Sequence, residues 1–331
     1  MRKYSKSFKD VFKIKKNFFD ENKKNLKNIL KINSVYLKQS KRKKCKNCEK
    51  KILNKEYLFK SFKIEYFICE KCNHVNGKYE DSKKFCNWLY QENKGDEYKF
   101  NYLHNYDLRV KKIYIPKVEF LRKVVKKKIN LVDIGCGGGH FLKALEKKNI
   151  SAYGFEPSYS LSKLGNKKLK KNKIINAPLD KILNKLSHDS SSSVISFIGV
   201  LEHLRHPNKF IKFFKKSNFK YMYLTLPLFS LSSVFENNFS NTFPRVLGGG
   251  HTHLYTKESI NYLIKKNKLK IVGEWWFGSD VLDIYRSLVV NSKSSNYEMF
   301  LKKNFYQLLD KLQEIIDKQH QCNEVQLILK K

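Results

Sequence analysis

Four cysteines stand in two close pairs, Cys45-Lys-Asn-Cys48 and Cys69-Glu-Lys-Cys72, with twenty residues between the pairs. One Cys-x-x-Cys turn presents two thiolates to the same point. Two such turns brought together make the tetrahedral sulfur cage that zinc prefers. With all four corners filled the expected Zn2+ is structural, with no open position for a water or a substrate. The segment has few apolar residues, so a metal would stabilise it where a core cannot. Lys46 and Lys71 are expected to favour the thiolate forms, and His74 is read as a surface residue. Cys86, Cys136 and Cys322 bring the total to an odd seven. The basic N-terminus has no apolar signal core. Both points favour metal binding in a reducing, cytoplasmic setting over disulfides.

A second constellation is Leu131-Val-Asp133-Ile-Gly135-Cys-Gly137-Gly-Gly139. Glycines let the backbone turn sharply and approach a ligand closely, and a helix start offers free N–H groups and a positive dipole end. One β-α-β unit later the sequence reads Gly154-Phe155-Glu156-Pro157. An acid at that point can accept both ribose hydroxyls of a bound nucleoside. The dinucleotide fingerprint would need a glycine at position 140, where His140 stands, so the pair suits a different nucleotide-like ligand.

Proton-transfer candidates fall in two places. Glu202 and His203 follow an apolar run, and histidine titrates near neutral pH. The cluster Gly248-Gly-Gly250-His251-Thr-His253-Leu-Tyr255 would form a mobile glycine loop, with His251, His253 and Tyr255 able to reach an acceptor. His206 before Pro207, and Thr256 with Glu258, read as helix starts. Trp275, Trp276 and Phe277 read as core or pocket wall.

The elements that must carry these groups follow from periodicity. Short apolar runs at 130–134, 151–155, 173–176, 194–198, 220–225, 270–277 and 323–330 alternate with helix-length stretches such as 139–148, 158–170 and 208–216. Alternation of strand and helix predicts an α/β fold with a mostly parallel sheet covered on both faces. The expected organisation is a basic N-terminal arm (1–44), a zinc-ribbon module (45–76), a helical connector or cap (77–129) rich in aromatics, and the α/β domain (130–331). The chain has 331 residues, 41% of them hydrophobic, and a formal charge of +38. That hydrophobic content excludes a disordered chain, and no run is long and apolar enough for a membrane span. The lysine surplus has two readings: a base-skewed genome, or a polyanion partner met first by residues 1–55. The oligomeric state is left open.

With these motifs in place, residues 130–331 resemble a class I S-adenosylmethionine-dependent methyltransferase. The resemblance implies a Rossmann-like seven-stranded sheet whose last strand is antiparallel. It implies that Asp133, Gly135, Gly137 and Gly139 hold the amino-acid part of the cofactor and that Glu156 holds its ribose. Ala177 and Pro178 would contact adenine. Gly199 and Val200 would border the cofactor at the start of a segment, with Leu201, Glu202, His203 and Pro207, that resembles the "VLEH…P" stretch of many small-molecule members. One departure is the serine tract 190–193, where many relatives carry an acid before strand four; Asp189 is displaced from that position. The cysteine module followed by Tyr98-Lys-Phe-Asn-Tyr102 is similar to zinc-ribbon methyltransferases that modify sugars and surface polysaccharides. A small-molecule acceptor, a sugar nucleotide or glycan precursor, is therefore expected. An RNA methyltransferase and a non-catalytic binding protein on the same fold are the rival readings.

Overall fold

The computed structural model describes residues 1–8, 12, 14–52, 59–92, 105–179, 181–187, 189 and 191–331. The aromatic stretch at 98–102 and Ser190 lie outside these residues. The strands are β1 (Arg2–Tyr4), β2 (Phe59–Ser61), β3 (Ile64–Ile68), β4 (Val75–Gly77), β5 (Asn130–Ile134), β6 (Ser151–Glu156), β7 (Lys173–Asn176), β8 (Val194–Ile198), β9 (Tyr221–Pro227), β10 (His253–Leu254), β11 (Lys270–Phe277) and β12 (Glu324–Lys330). The helices that bear on the site are α1 (Asn22–Tyr36), α2 (Ile115–Val124), α3 (His140–Lys147), α4 (Tyr159–Lys168), α5 (Pro207–Lys216), α6 (Leu231–Glu236), α7 (Lys257–Lys266) and α8 (Asp280–Val290).

Strands buried on both faces need apolar residues in succession, because neighbours along a strand point to opposite sides. β5 shows this: Val132 and Ile134 enter one core, and Leu131 enters the other. Met222 and Leu224 of β9 likewise face the first core, and Tyr223 faces the second. Helices cover both faces because their apolar residues recur at helical spacing. Phe141, Leu142 and Leu145 of α3 and Phe210, Ile211 and Phe214 of α5 are buried, while the lysines of both helices stay at the surface or half-buried.

The large sheet has the order β1-β11-β12-β9-β8-β5-β6-β7. β12 runs antiparallel to both β9 and β11, and the other pairs are parallel. Seven strands with an antiparallel last one match the expectation, and the eighth is new. It comes from Arg2–Tyr4, which pairs in parallel with Glu274–Trp276. Ser5 continues the contact, its N–H donating to the Trp276 carbonyl and its own carbonyl accepting from the Trp275 indole at 3.0 Å. A three-residue strand is too short for its alternation to stand out in the sequence.

A second sheet, antiparallel with the order β10-β4-β3-β2, carries the cysteine pairs. Its fourth strand, β10, is supplied by residues 253–254, which pair with Val75 and Asn76. α1 packs Ile32 and Tyr36 against Ile64, Tyr66, Val75 and Leu254. The buried Arg42 guanidinium ties the connection by donating to the carbonyls of Gly77 (2.8 Å) and Tyr79 (2.7 Å). Among the described residues no helix is long and apolar enough to cross a membrane.

Candidate active site

β5 delivers the chain to a turn in which Gly135, Gly137 and Gly139 all have positive φ (68°, 54° and 76°). Only glycine adopts that region without strain. A β-carbon on Gly135 would in addition lie 2.8 Å from Val200 Cγ2. The turn hangs on the end of β6: the N–H groups of Gly135 and Cys136 donate to the Phe155 carbonyl at 2.8 and 3.1 Å. Glu156, the last residue of β6, accepts from the N–H of Gly137 at 2.8 Å and from the N–H of Ser158 at 2.9 Å. Burial pushes its carboxyl up to about 7, against the two N–H donors that favour the anion. Asp133 is buried too and accepts from the Ser196 hydroxyl at 2.6 Å. Burial likewise raises it to about 7. The motif acids therefore lie together behind the glycine turn.

The ends of β6 and β7 are joined by Asn176, whose amide donates to the Glu156 and Pro157 carbonyls at 2.9 and 3.1 Å. Ala177 is buried there. Pro178 faces a cavity of about 330 Å3 lined also by Tyr90, Pro157, Leu179, His203 and Phe210. Lys83, Lys181, Arg205 and Lys209 stand around the same cavity. Gly199, with φ 68°, ends β8 and starts the turn that carries Val200 and Glu202. On the other side of the glycine turn, Tyr106 donates to the Gly138 carbonyl at 3.2 Å and stacks on His140 with ring centres 4.1 Å apart.

The five residues expected to move protons divide. Glu202, His203 and His251 come together, their ligand atoms within 4.8 Å of one another. His203 Nδ1 lies 2.8 Å from the Tyr90 hydroxyl and 2.8 Å from the Gly250 carbonyl. His251 Nδ1 lies 2.7 Å from the Val246 carbonyl. Glu202 is 3% exposed, and burial pushes its carboxyl up to about 8. His253 and Tyr255 instead face the cysteine module and do not line the cavity. His253 lies in β10 with Nδ1 2.9 Å from His74 Nε2, and burial holds its pKa well below the usual histidine range. Tyr255 sets its ring edge-on to His74 at 4.7 Å. His74 is fully buried, not at the surface as its polar flanks suggested. The glycine loop is tied down rather than loose. The Gly248 N–H donates to the Tyr66 hydroxyl at 2.9 Å, and the Gly249 N–H to Asn33 Oδ1 at 2.8 Å.

The four cysteines are buried as one cluster. Cys45 and Cys72 sulfurs are 3.7 Å apart, and those of Cys48 and Cys69 are 3.5 Å apart. Four sulfurs about 2.3 Å from a central zinc would sit roughly 3.8 Å from each other, so the spacing fits a tetrahedral ion. Each pair is followed by a left-handed residue, Glu49 (φ 63°) or Asn73 (φ 54°), which closes the turn. Lys46 turns away from the thiolates, contrary to expectation. Its ammonium pairs with Asp81 and donates to the Arg205 carbonyl at 2.6 Å. Asn208 of α5 donates to the carbonyls of Lys46 and Asn47 at 3.1 and 3.0 Å. The first cysteine turn is thus fastened to the segment that follows His203.

Sequence reasoning missed Tyr90, Tyr106 and Lys117. Tyr90 and Tyr106 belong to the aromatic-rich connector, where composition signalled a cover but not which rings would serve. Lys117 of α2 is buried beside the end of β9, pairing with Glu324 at 3.0 Å, and one lysine among 68 basic residues carries no signal of its own.

Solved structures with a similar course include an S-adenosylmethionine-dependent methyltransferase from Archaeoglobus fulgidus (16% identity, TM-score 0.42, 66% of this chain and 92% of that one). A plantazolicin methyltransferase in complex with SAH gives 17%, 0.45, 72% and 90%. Magnesium protoporphyrin IX methyltransferase from Synechocystis gives 12%, 0.42, 56% and 88%. No curated protein matches the chain. A family described as a methyltransferase domain matches residues 103–274, more than half of the chain. With that match, the strand order and the glycine turn, the chain belongs to the methyltransferase-domain family and is an S-adenosylmethionine-dependent methyltransferase.

Proposed function

We propose that this enzyme moves the methyl group of S-adenosylmethionine to a small, anionic acceptor, a sugar nucleotide or polysaccharide precursor. The observation that carries this reading is the cavity of about 330 Å3 that runs from Pro178, on the side expected to border adenine, to His203, with Lys83, Lys181, Arg205 and Lys209 around it. Its volume suits a small molecule, and four cations suit phosphate.

The cofactor, when bound, supplies an electrophilic methyl on a sulfonium. Asp133 and the turn of Gly135, Gly137 and Gly139 would hold its amino-acid part, and Glu156 its ribose. Ala177 and Pro178 would border adenine, and Gly199 and Val200 would close the floor. The protein must then align the acceptor and take its proton. Glu202, His203 and His251 would take up the acceptor's proton as the acceptor gains the methyl carbon, with a neutral thioether as leaving group. Cys45, Cys48, Cys69 and Cys72 would hold a structural Zn2+, which fixes the module against Arg205 and Asn208 and takes no part in the displacement.

The test uses methyl-labelled cofactor and an extract of the source cells, separated into nucleotide, polysaccharide, RNA and protein fractions, with Asp133→Ala as the blank. Label in the nucleotide or polysaccharide fraction is expected. Label in RNA would overturn the small-molecule reading and give the +38 charge a binding role. Label no higher than the blank in every fraction would favour a non-catalytic protein.

A further inference from the structure

Two histidines and a glutamate meet at the end of β8, and each imidazole is held from behind. His203 Nδ1 is 2.8 Å from the Gly250 carbonyl, and His251 Nδ1 is 2.7 Å from the Val246 carbonyl. A carbonyl can only accept, so both rings donate from Nδ1, and a neutral ring that does so carries its lone pair on Nε2. Metal-binding histidines are oriented in this way, with one nitrogen tied to a backbone oxygen and the other turned to the ion. Glu202 completes the set. Its Oε1 is 3.8 Å from His203 Nε2, too far for a hydrogen bond. Its Oε2 is buried and has no hydrogen-bond partner among the described residues.

We infer that Glu202, His203 and His251 bind a divalent cation of the Mn2+, Fe2+ or Zn2+ type, separate from the ion expected at the four cysteines. Two imidazoles and one carboxylate on one side of an ion leave open positions on the other. The inference rests on the methyl-transfer reading and deepens it: an acceptor oxygen coordinated there would lose its proton at a lower pH. An acceptor offering two neighbouring oxygens, such as a sugar diol, could fill two open positions at once. The present spacing needs a modest contraction. Ligand atoms about 2.1 Å from an ion and at right angles to one another are roughly 3 Å apart, while these three spread over as much as 4.8 Å. Closing that gap takes up to about 2 Å of side-chain movement. The turn before His251 is fixed through Tyr66 and Asn33, so side-chain rotation, rather than movement of that turn, would close the gap.

The experiment titrates Mn2+ into zinc-loaded protein and counts free Mn2+ by electron paramagnetic resonance. Mn2+ prefers oxygen and nitrogen to thiolate, so the cysteine cluster does not compete. Binding of one Mn2+ per chain, weakened at least tenfold by His251→Ala and by Glu202→Gln, is expected. Absence of binding, or binding that His251→Ala leaves unchanged, overturns the inference. Binding of S-adenosylhomocysteine is measured on each sample. A protein that binds the nucleoside but no Mn2+ refutes the metal site and leaves the methyl-transfer reading standing. A wild type that binds Mn2+ but no nucleoside does the reverse. A His251→Ala chain that still binds the nucleoside is folded, so its lost Mn2+ belongs to the site.

Discussion

Replacing Glu156 by glutamine separates cofactor binding from folding, because the two respond in opposite directions. In the empty protein the carboxyl is 6% exposed and sits at about 7 instead of its ordinary 4.5. Its folded value lies above its unfolded one, so its contribution is fully present below about 4.5 and is lost as pH rises through 7. The difference corresponds to roughly 3 kcal/mol of stability given up by pH 8. Glutamine carries no charge, so the empty variant is expected to melt no lower than wild type at pH 8 and to lack this pH dependence. Binding moves the other way. The ionised carboxylate would accept both ribose hydroxyls, and charge-assisted bonds contribute about 1.5–3 kcal/mol each. Glutamine keeps one weaker acceptor, so a loss of about 3 kcal/mol, on the order of 100-fold in Kd, is expected. In wild type the affinity should fall about tenfold per pH unit below 7 as the acid is protonated. Calorimetric titration with S-adenosylhomocysteine from pH 5.5 to 8.5, beside melting curves without it, measures both. Removing the 2′-hydroxyl from the ligand should weaken wild type and barely affect the variant. A variant that binds within about fivefold of wild type, at an unchanged Tm, would refute the ribose role.

Three other outcomes follow from the packing. Cys72→Ser should abolish binding of the zinc proposed at the four cysteines and lower Tm, and it should also reduce methyl transfer, because β4 holds β10 and the turn leading to His251; metal analysis and a transfer assay on one preparation check this. Gly165→Ala would put a β-carbon 2.2 Å from Ile174 Cδ1 and 3.0 Å from the Gly138 backbone. A loss of about 1–3 kcal/mol is expected, partly recovered with Ile174→Val, as urea unfolding would show. Arg286→Leu removes the ion-pair partner of buried Glu236 at 2.8 Å, leaving it the backbone N–H and the more distant charge of Arg245. It should cost about 3–5 kcal/mol, and more than the double change Arg286→Leu, Glu236→Leu.

The parallel strands were legible because strands covered on both faces must be continuously apolar. The expected spans 130–134, 173–176, 194–198 and 270–277 coincide with β5, β7, β8 and β11. The glycine turn and Glu156 were legible for the same local reason, since successive positions with φ above zero favour glycine and an acid stands out at the end of an apolar strand. What could not be read was partnership across the chain. β1 and β10 are three and two residues long, too short for any periodicity. Their existence depends on edges that only the folded sheets provide. The fate of His253 follows from β10, since a residue that becomes a strand facing His74 cannot also face a cavity. Thr256 does start a helix, but its capping partner is Ser259, one residue beyond the glutamate that the sequence suggested.

The closing of the cysteine sheet by β10 imposes an order of events during synthesis. The cysteine pairs leave the ribosome early, yet the strand that completes their sheet is roughly 180 residues downstream of its partner, which at 5–20 residues per second is a wait of roughly 10–40 s. During that interval Cys45, Cys48, Cys69 and Cys72 are translated but unroofed. The growing chain can be loaded with metal, or lose its thiols to oxidation, before the domain that needs it exists.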